Sequence, residues 1–300
     1  MYVVFPFSLS PIMLSKLGLM LFGVATTLYI STCLLLLWGQ PKLIFFPDSY
    51  LKSTPQAYGL DYQDVWLRIG EDQVHGWWIP ASQSSAPTLL YFHGNGSNNG
   101  DLTEIAAILH QLPVSVLLID YRGYGKSSPV FPNETRVYQD GEAAWQYLTQ
   151  ERKIKPQQIF VYGHSLGGAI AIELASKHPD IAGLITEGTF TSVQDLASQL
   201  PGLKLFPLSL LVTQRFDSIT KVKTLETPIL ILHGAGDRTI PPLMAKKLYA
   251  AAPEPKYLAT FDEAGHNNLP ESYLQQYLLT LQEFIKSVSN PIQITPQKTN

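Results

Sequence analysis

The chain has 300 residues, 45% of them hydrophobic and 15% charged, with aromatics at 11%, a balance that excludes global disorder and leaves apolar material for a sizeable core. The net charge is only −3 and no basic run occurs, so the electrostatic footprint of a nucleic-acid binder is missing and no nucleic-acid partner is expected. The single cysteine, Cys33, lies inside an apolar segment, which excludes an internal disulfide and any thiol-based ligand cluster.

In chain order, the first element is a run of 22 residues without a charge, residues 17–38. As a helix it reaches ~33 Å, enough for the hydrocarbon core of a bilayer. It reads as a single membrane span inside an N-terminal unit of residues 1–40, with a cleaved signal peptide or a buried helix as competing readings. No small-residue cleavage site follows it. Ile30-Ser31-Thr32-Cys33 is similar to an acylation box, but the apolar run continues to Leu37 where a mature polar sequence should begin. Lys16 on one side faces Lys42 and Lys52 on the other, so the basic flanks set no orientation.

After Pro41 short β-rich runs alternate with helical stretches. Residues 64–69 and 74–79, split by Gly70-Glu71-Asp72, predict a hairpin. Val-, Ile- and Leu-rich runs follow at residues 88–92, 114–119, 159–162, 182–186, 229–232 and 257–261, the pattern of parallel strands buried on both faces. Helical periodicity is clearest at residues 142–148, 169–176, 244–251 and 273–288, long enough to cross back over a sheet. Residues 41–288 therefore predict one doubly wound α/β domain on a mostly parallel, eight-stranded sheet, with residues 289–300 as a flexible tail.

The chemistry starts at Gly163-His164-Ser165-Leu166-Gly167, a G-x-S-x-G pattern between the strand run at 159–162 and the helical run that follows. Strand, sharp turn and helix are what a nucleophile elbow requires, because the glycines permit the turn that lifts the serine oxygen above the sheet. A serine hydroxyl is a weak nucleophile at neutral pH and needs a base, itself held in place. Asp237 follows the run at 229–232 and His266 follows the run at 257–261, so Ser165, Asp237 and His266 all fall beyond the C-terminal ends of late strands. Asp217 and Asp262 are rival acids; Asp262 lies on the same loop as His266, an awkward geometry for an orienting bond. His75, His110 and His178 read as surface or structural, His164 as the variable elbow position, and His233 as a partner of its adjacent loop. The run at 88–92 leads into the Gly-rich His93-Gly94-Asn95-Gly96 loop, and the backbone N–H groups of Asn95 and Leu166 are the predicted oxyanion hole. No G-x-x-x-x-G-K-[ST] or G-x-G-x-x-G pattern is present to favour nucleotide binding.

His93-Gly94-Asn95-Gly96, the run Asp120-Tyr121-Arg122-Gly123-Tyr124-Gly125-Lys126-Ser127, the serine elbow, His233-Gly234 with Asp237, and Gly265-His266 together resemble the α/β-hydrolase superfamily. The likeness extends over residues 43–288 and is nearest the membrane-anchored ABHD-type serine hydrolases, whose post-span segment is similar to residues 41–48 here. The resemblance implies an esterase, lipase or thioesterase that forms an acyl-enzyme on a small-molecule or lipid acyl substrate and needs no metal or organic cofactor. It also implies that residues 120–127 brace the loops around the site. A prolyl-aminopeptidase-like serine peptidase, for which Glu187, Asp217 and Glu263 are the candidate acidic groups facing a free amine, and a non-catalytic membrane-tethered scaffold are the alternatives. Residues 189–227, apolar through Leu203, Leu205, Phe206, Leu208, Leu210, Leu211 and Val212, read either as a small helical lid over an acyl pocket or as a helix packed on the core.

Overall fold

The runs rich in β-branched and aromatic residues become strands β1 Gln63–Ile69, β2 Asp72–Ile79, β3 Thr88–Phe92, β4 Ser115–Ile119, β5 Ile159–His164, β6 Gly183–Glu187, β7 Ile229–Gly234 and β8 Lys256–Phe261 in the computed structural model, which describes residues 10–289. They form one eight-stranded sheet in the order β1-β2-β4-β3-β5-β6-β7-β8. The β1-β2 and β2-β4 pairs are antiparallel and the rest parallel, so the predicted doubly wound α/β architecture is present. Every residue of β3, β4, β6 and β7 is buried, as continuous apolar runs require when helices cover both faces. The exception is β8, read from its sequence as doubly buried. Only Phe261 of its six residues is fully buried, because β8 is an edge strand with β7 as its sole neighbour among the described residues.

Ten α-helices are described: α1 Pro11–Ile44, α2 Thr103–Leu109, α3 Glu134–Gln146, α4 Leu166–Lys177, α5 Val193–Ala197, α6 Leu208–Leu211, α7 Ser218–Val222, α8 Pro242–Ala251, α9 Leu269–Ser272 and α10 Leu274–Ser289. Helices α3, α4, α7 and α8 supply one core with Val137, Ile170, Val222 and Leu248, while α2 and α10 supply the other with Leu109, Tyr277 and Leu281. Two boundaries differ from the sequence reading. Helix α3 begins at Glu134, well before residue 142, because Asn133 Oδ1 accepts the Arg136 N–H at 2.9 Å and caps it. Helix α2 shows no clear periodicity because it is only 7 residues long. The predicted tail falls almost wholly outside the described residues.

Helix α1 is 34 residues long, with a mean hydropathy of 2.0 over its most apolar stretch, none of it buried, and is long and apolar enough to cross a membrane. It runs past the expected end of the apolar segment and through Pro41, closing with the Phe45 N–H donating to Pro41 O at 2.8 Å. Pro41 deprives Leu37 O of its helical donor, and the helix ends within one turn of it, at Ile44. Phe45 then enters the core.

The turn after β4 is held by Arg122, whose Nε donates to Asp140 Oδ1 at 2.7 Å, Nη1 to Asp72 Oδ2 at 3.1 Å and Nη2 to Gln139 Oε1 at 2.8 Å. Burial pushes the Asp140 carboxyl up to about 6 against the pull of that guanidinium. Breaking such a buried pair from one side leaves the buried guanidinium with the half-buried Asp72 as its remaining carboxylate partner. Asp140→Ala is therefore expected to lower the unfolding free energy of the full chain by about 3–5 kcal/mol, measured as a drop in its urea midpoint in detergent; a midpoint equal to the parent's would contradict this account.

Candidate active site

The loops that leave the C-terminal ends of β3, β5, β7 and β8 meet over one edge of the sheet, and each carries one of the residues singled out by spacing. Ser165 links β5 to α4 at φ 54° and ψ −117°, a left-handed conformation that costs a non-glycine residue about 1–3 kcal/mol. Its N–H donates to Glu187 O at 2.8 Å and its carbonyl accepts the Thr189 hydroxyl at 2.8 Å. The flanking glycines are needed for close approach: a Cβ on Gly163 would collide with Gly167 O, and one on Gly167 with Phe92 O. Ser165 is thereby fixed above the N-terminus of the 12-residue α4, where free N–H groups favour negative charge.

His266 Nε2 lies 3.0 Å from Ser165 Oγ, and His266 Nδ1 lies 2.7 Å from Asp237 Oδ2. Asp237 Oδ1 accepts the N–H groups of Thr239 and Ile240, both at 2.8 Å. Burial on its own would raise the Asp237 carboxyl, but the His266 hydrogen bond and the two backbone donors outweigh it and hold Asp237 below its ordinary value. An ionised Asp237 fixes the proton on His266 Nδ1, so Nε2 is the acceptor that faces the serine hydroxyl. The rival acids stand elsewhere: Asp217 caps α7 by accepting the Thr220 N–H at 3.3 Å, and Asp262 is exposed on the surface. His233, kept neutral because burial lowers its pKa, donates from Nε2 to Ile240 O at 2.9 Å and steadies the Asp237 loop.

Asn95 and Leu166 line the same cavity as Ser165 and His266, a space of about 380 Å³. Among the described residues neither backbone N–H has a protein acceptor. The Asn95 loop is held from three sides: Asn95 O accepts the Tyr124 hydroxyl at 2.7 Å and the Phe46 N–H at 3.1 Å, and Asn95 Nδ2 donates to Ile44 O at 2.7 Å. Tyr121 Oη donates to His93 O at 2.8 Å, and Asp120 Oδ1 accepts the Asn99 N–H at 2.7 Å. Residues 120–127 therefore brace this loop without entering the cavity, as the family resemblance implied.

One site residue was not legible in the sequence, and neither was the place of a second, Glu187. His164, read as merely the variable elbow position, lines the cavity; its Nε2 donates to His266 O at 3.1 Å and its ring lies 5.1 Å from that of His266. Glu187, its partner in the β5-β6 register, is buried, accepts the Tyr162 hydroxyl, and lines a separate cavity of about 150 Å³ on the far side of His164. The parallel pairing of strand ends is what sets the two side by side, and it exists only once the sheet has formed.

A family model described as serine aminopeptidase, S33, matches residues 83–216. The alpha/beta hydrolase domain-containing protein WAV2 of Arabidopsis thaliana is 34% identical over 249 residues, 76% of this chain and 80% of that protein. The lysophosphatidylserine lipase ABHD12 of Danio rerio is 33% identical over 199 residues, 61% of this chain and 51% of that protein. Of the solved structures, the Pyrococcus furiosus esterase Pf2001 superposes with a TM-score of 0.67 at 20% identity over 81% of this chain and 99% of that one, a likeness of fold. The chain belongs to the α/β-hydrolase superfamily and stands close to its ABHD-type members.

An amide in place of Asp237 would have one acceptor for three donors. Whichever way it turned, an NH₂ group would face either the Thr239 and Ile240 amides or His266 Nδ1–H, and the second arrangement reverses the imidazole tautomer. Asp237→Asn is expected to slow the reaction of Ser165 with a fluorophosphonate by about 10³–10⁴-fold while leaving the thermal unfolding midpoint within a few degrees of the parent. An unchanged labelling rate would show that Asp237 does not orient His266.

Proposed function

We propose that this chain is a membrane-anchored serine hydrolase that cleaves carboxylic ester or thioester bonds through an acyl-enzyme. The observation that carries the reading is the relay of 3.0 Å from Ser165 Oγ to His266 Nε2 and 2.7 Å from His266 Nδ1 to Asp237 Oδ2, at the floor of an open cavity. His266 Nε2 takes the Ser165 proton as Oγ attacks the carbonyl carbon, and the negative charge moves to the carbonyl oxygen, which the Asn95 and Leu166 N–H groups receive. Collapse of this tetrahedral species expels the alcohol or thiol, protonated by His266, and leaves an acyl-serine. Water, deprotonated by the same imidazole, then releases the carboxylic acid and restores Ser165.

Two relatives bear on the bond class: ABHD12 is called a lipase and Pf2001 an esterase. Residues 189–227 are the lid of this site, since Phe190, Val193 and Leu196 form one wall of the cavity. Helix α1 is the single-pass anchor, its exposed apolar surface matched to the hydrocarbon core. A serine peptidase is the second reading, favoured by the family description and by Glu187, which with Asp101, Glu104 and Glu271 lines the cavity beyond His164 and offers a free amine its counter-charge.

A panel of p-nitrophenyl esters of increasing chain length, assayed beside aminoacyl p-nitroanilides, separates the two. Ester turnover that exceeds anilide turnover by at least about 100-fold is expected, together with covalent fluorophosphonate labelling that Ser165→Ala abolishes. Faster cleavage of the anilides would install the peptidase, and labelling that persists in Ser165→Ala would remove Ser165 as the nucleophile.

A further inference from the structure

The helix that anchors the chain is also built into the site. Along one face, α1 is half-covered at Thr32, Cys33, Leu36 and Leu37 and buried at Gln40, while residues 11–31 are exposed. What covers that face is the apolar insertion between β6 and β7. Tyr29 Oη donates to Leu205 O at 3.2 Å and the Tyr29 ring stacks on Phe206 with centroids 5.1 Å apart. Roughly three turns further on, ~16 Å along the helix, Gln40 is only 7% exposed. Its Nε2 donates to Leu211 O at 2.6 Å, and its Oε1 accepts the N–H groups of Thr213 at 2.9 Å and Gln214 at 3.1 Å. Nε2 also reaches Leu37 O at 3.3 Å, the carbonyl that Pro41 leaves without its helical donor. A single amide thus ties helix and insertion together and makes good the gap in the helix.

Between the two tied elements lies a second chamber, about 210 Å³, walled by Leu36, Leu43 and Ile44 on the helix and Leu200, Leu203 and Leu211 on the insertion. It shares Leu43, Ile44, Val193 and Leu196 with the cavity over Ser165, so the two spaces adjoin across those side chains. Gln40, the polar residue among its walls, has its side-chain atoms engaged in the hydrogen bonds just described. Outside the chamber, Leu205 is 76% and Leu210 78% exposed. Leu205 sits beside Tyr29, within the uncharged run of α1, at a depth where hydrocarbon rather than water would meet it.

We propose that this chamber receives the hydrocarbon chain of a bilayer-resident lipid ester, which enters sideways between α1 and the insertion and lays its carbonyl against Ser165. The proposal rests on the serine-hydrolase reading above and names its substrate class: an ester drawn from the membrane, its polar group facing the wider cavity beside Asn95 and Asn267 and its chain held against the anchor helix. The anchor is then a wall of the substrate site as well as a tether.

The test places the full chain in phosphatidylcholine nanodiscs and measures the second-order rate at which an ethyl and a hexadecyl fluorophosphonate label Ser165. The parent is expected to react faster with the hexadecyl probe. Leu36→Trp, which fills the chamber from the helix side, is expected to lower the hexadecyl-to-ethyl rate ratio by at least about tenfold, the loss expected when roughly two methylenes are kept out. Leu203→Trp fills it from the insertion side and is expected to do the same, which keeps the test open should one variant not fold. The probes partition into the same bilayer in every sample, so the change in ratio reports the chamber. A ratio unchanged in the folded variants overturns the chamber and leaves the serine hydrolase standing. Failure of both probes to label the parent's Ser165 overturns the underlying reading, and this one with it.

Discussion

The N–H of Ser165 donates to Glu187 O at 2.8 Å, continuing the β5-β6 pairing one residue beyond the last strand position. That bond, with the Thr189 hydroxyl on the Ser165 carbonyl, holds the serine at φ 54° against its own preference. Strain at one residue persists only when its surroundings over-determine it, and here they do: Gly163 and Gly167 have no room for a Cβ because neighbouring backbone already fills the space. The position of the serine oxygen, and so the use of Asp237 and His266, follows from how tightly the sheet edge packs around a turn that would otherwise relax.

The rest of the site is positioned by loops that gain their rigidity from elements with no part in the chemistry. The Gly-rich segment after β3 is held by the Tyr124 and Tyr121 hydroxyls and by Asp120, and Arg122, in the same run of residues, is paired with the buried Asp140. A fourth support comes from the C-terminal end of α1, through Ile44 O and the Phe46 N–H. The proposed oxyanion loop is therefore clamped to the proposed anchor, and a helix that composition marks only as apolar has structural reasons to affect the site. Burial governs the electrostatics throughout: it keeps His93 and His233 neutral, as donors to backbone carbonyls, and it leaves Asp237 ionised only because three donors face it.

Much of this was legible in the chain. Continuous Val-, Ile- and Leu-rich runs announce strands buried on both faces, since only a covered parallel sheet can absorb them, and all eight strands fall on such runs or on the predicted hairpin. The G-x-S-x-G turn, the Asp237 loop and the Gly265-His266 pair each follow directly on a strand, so their common position at one sheet edge is readable from the order of residues alone. Edge and centre are not: residues 257–261 look like the other runs, yet β8 has a neighbour on one side only, and nothing local to a strand records how many strands lie beside it. Short α2 escapes notice because seven residues carry too few turns for a period.

The sequence by itself determined the fold class, the order of the proposed nucleophile, acid and base along the chain, and the presence of a helix able to span a bilayer, because strand and helix periods, turn glycines and uncharged length are properties of neighbouring residues. Only the tertiary structure decided that Asp237 rather than Asp217 or Asp262 faces His266, that His164 and Glu187 border the site, and that α1 continues through Pro41 to meet the insertion at Gln40. Those facts depend on groups far apart in sequence coming within 3 Å or so of one another, and distance in space is set by packing, which no local pattern encodes.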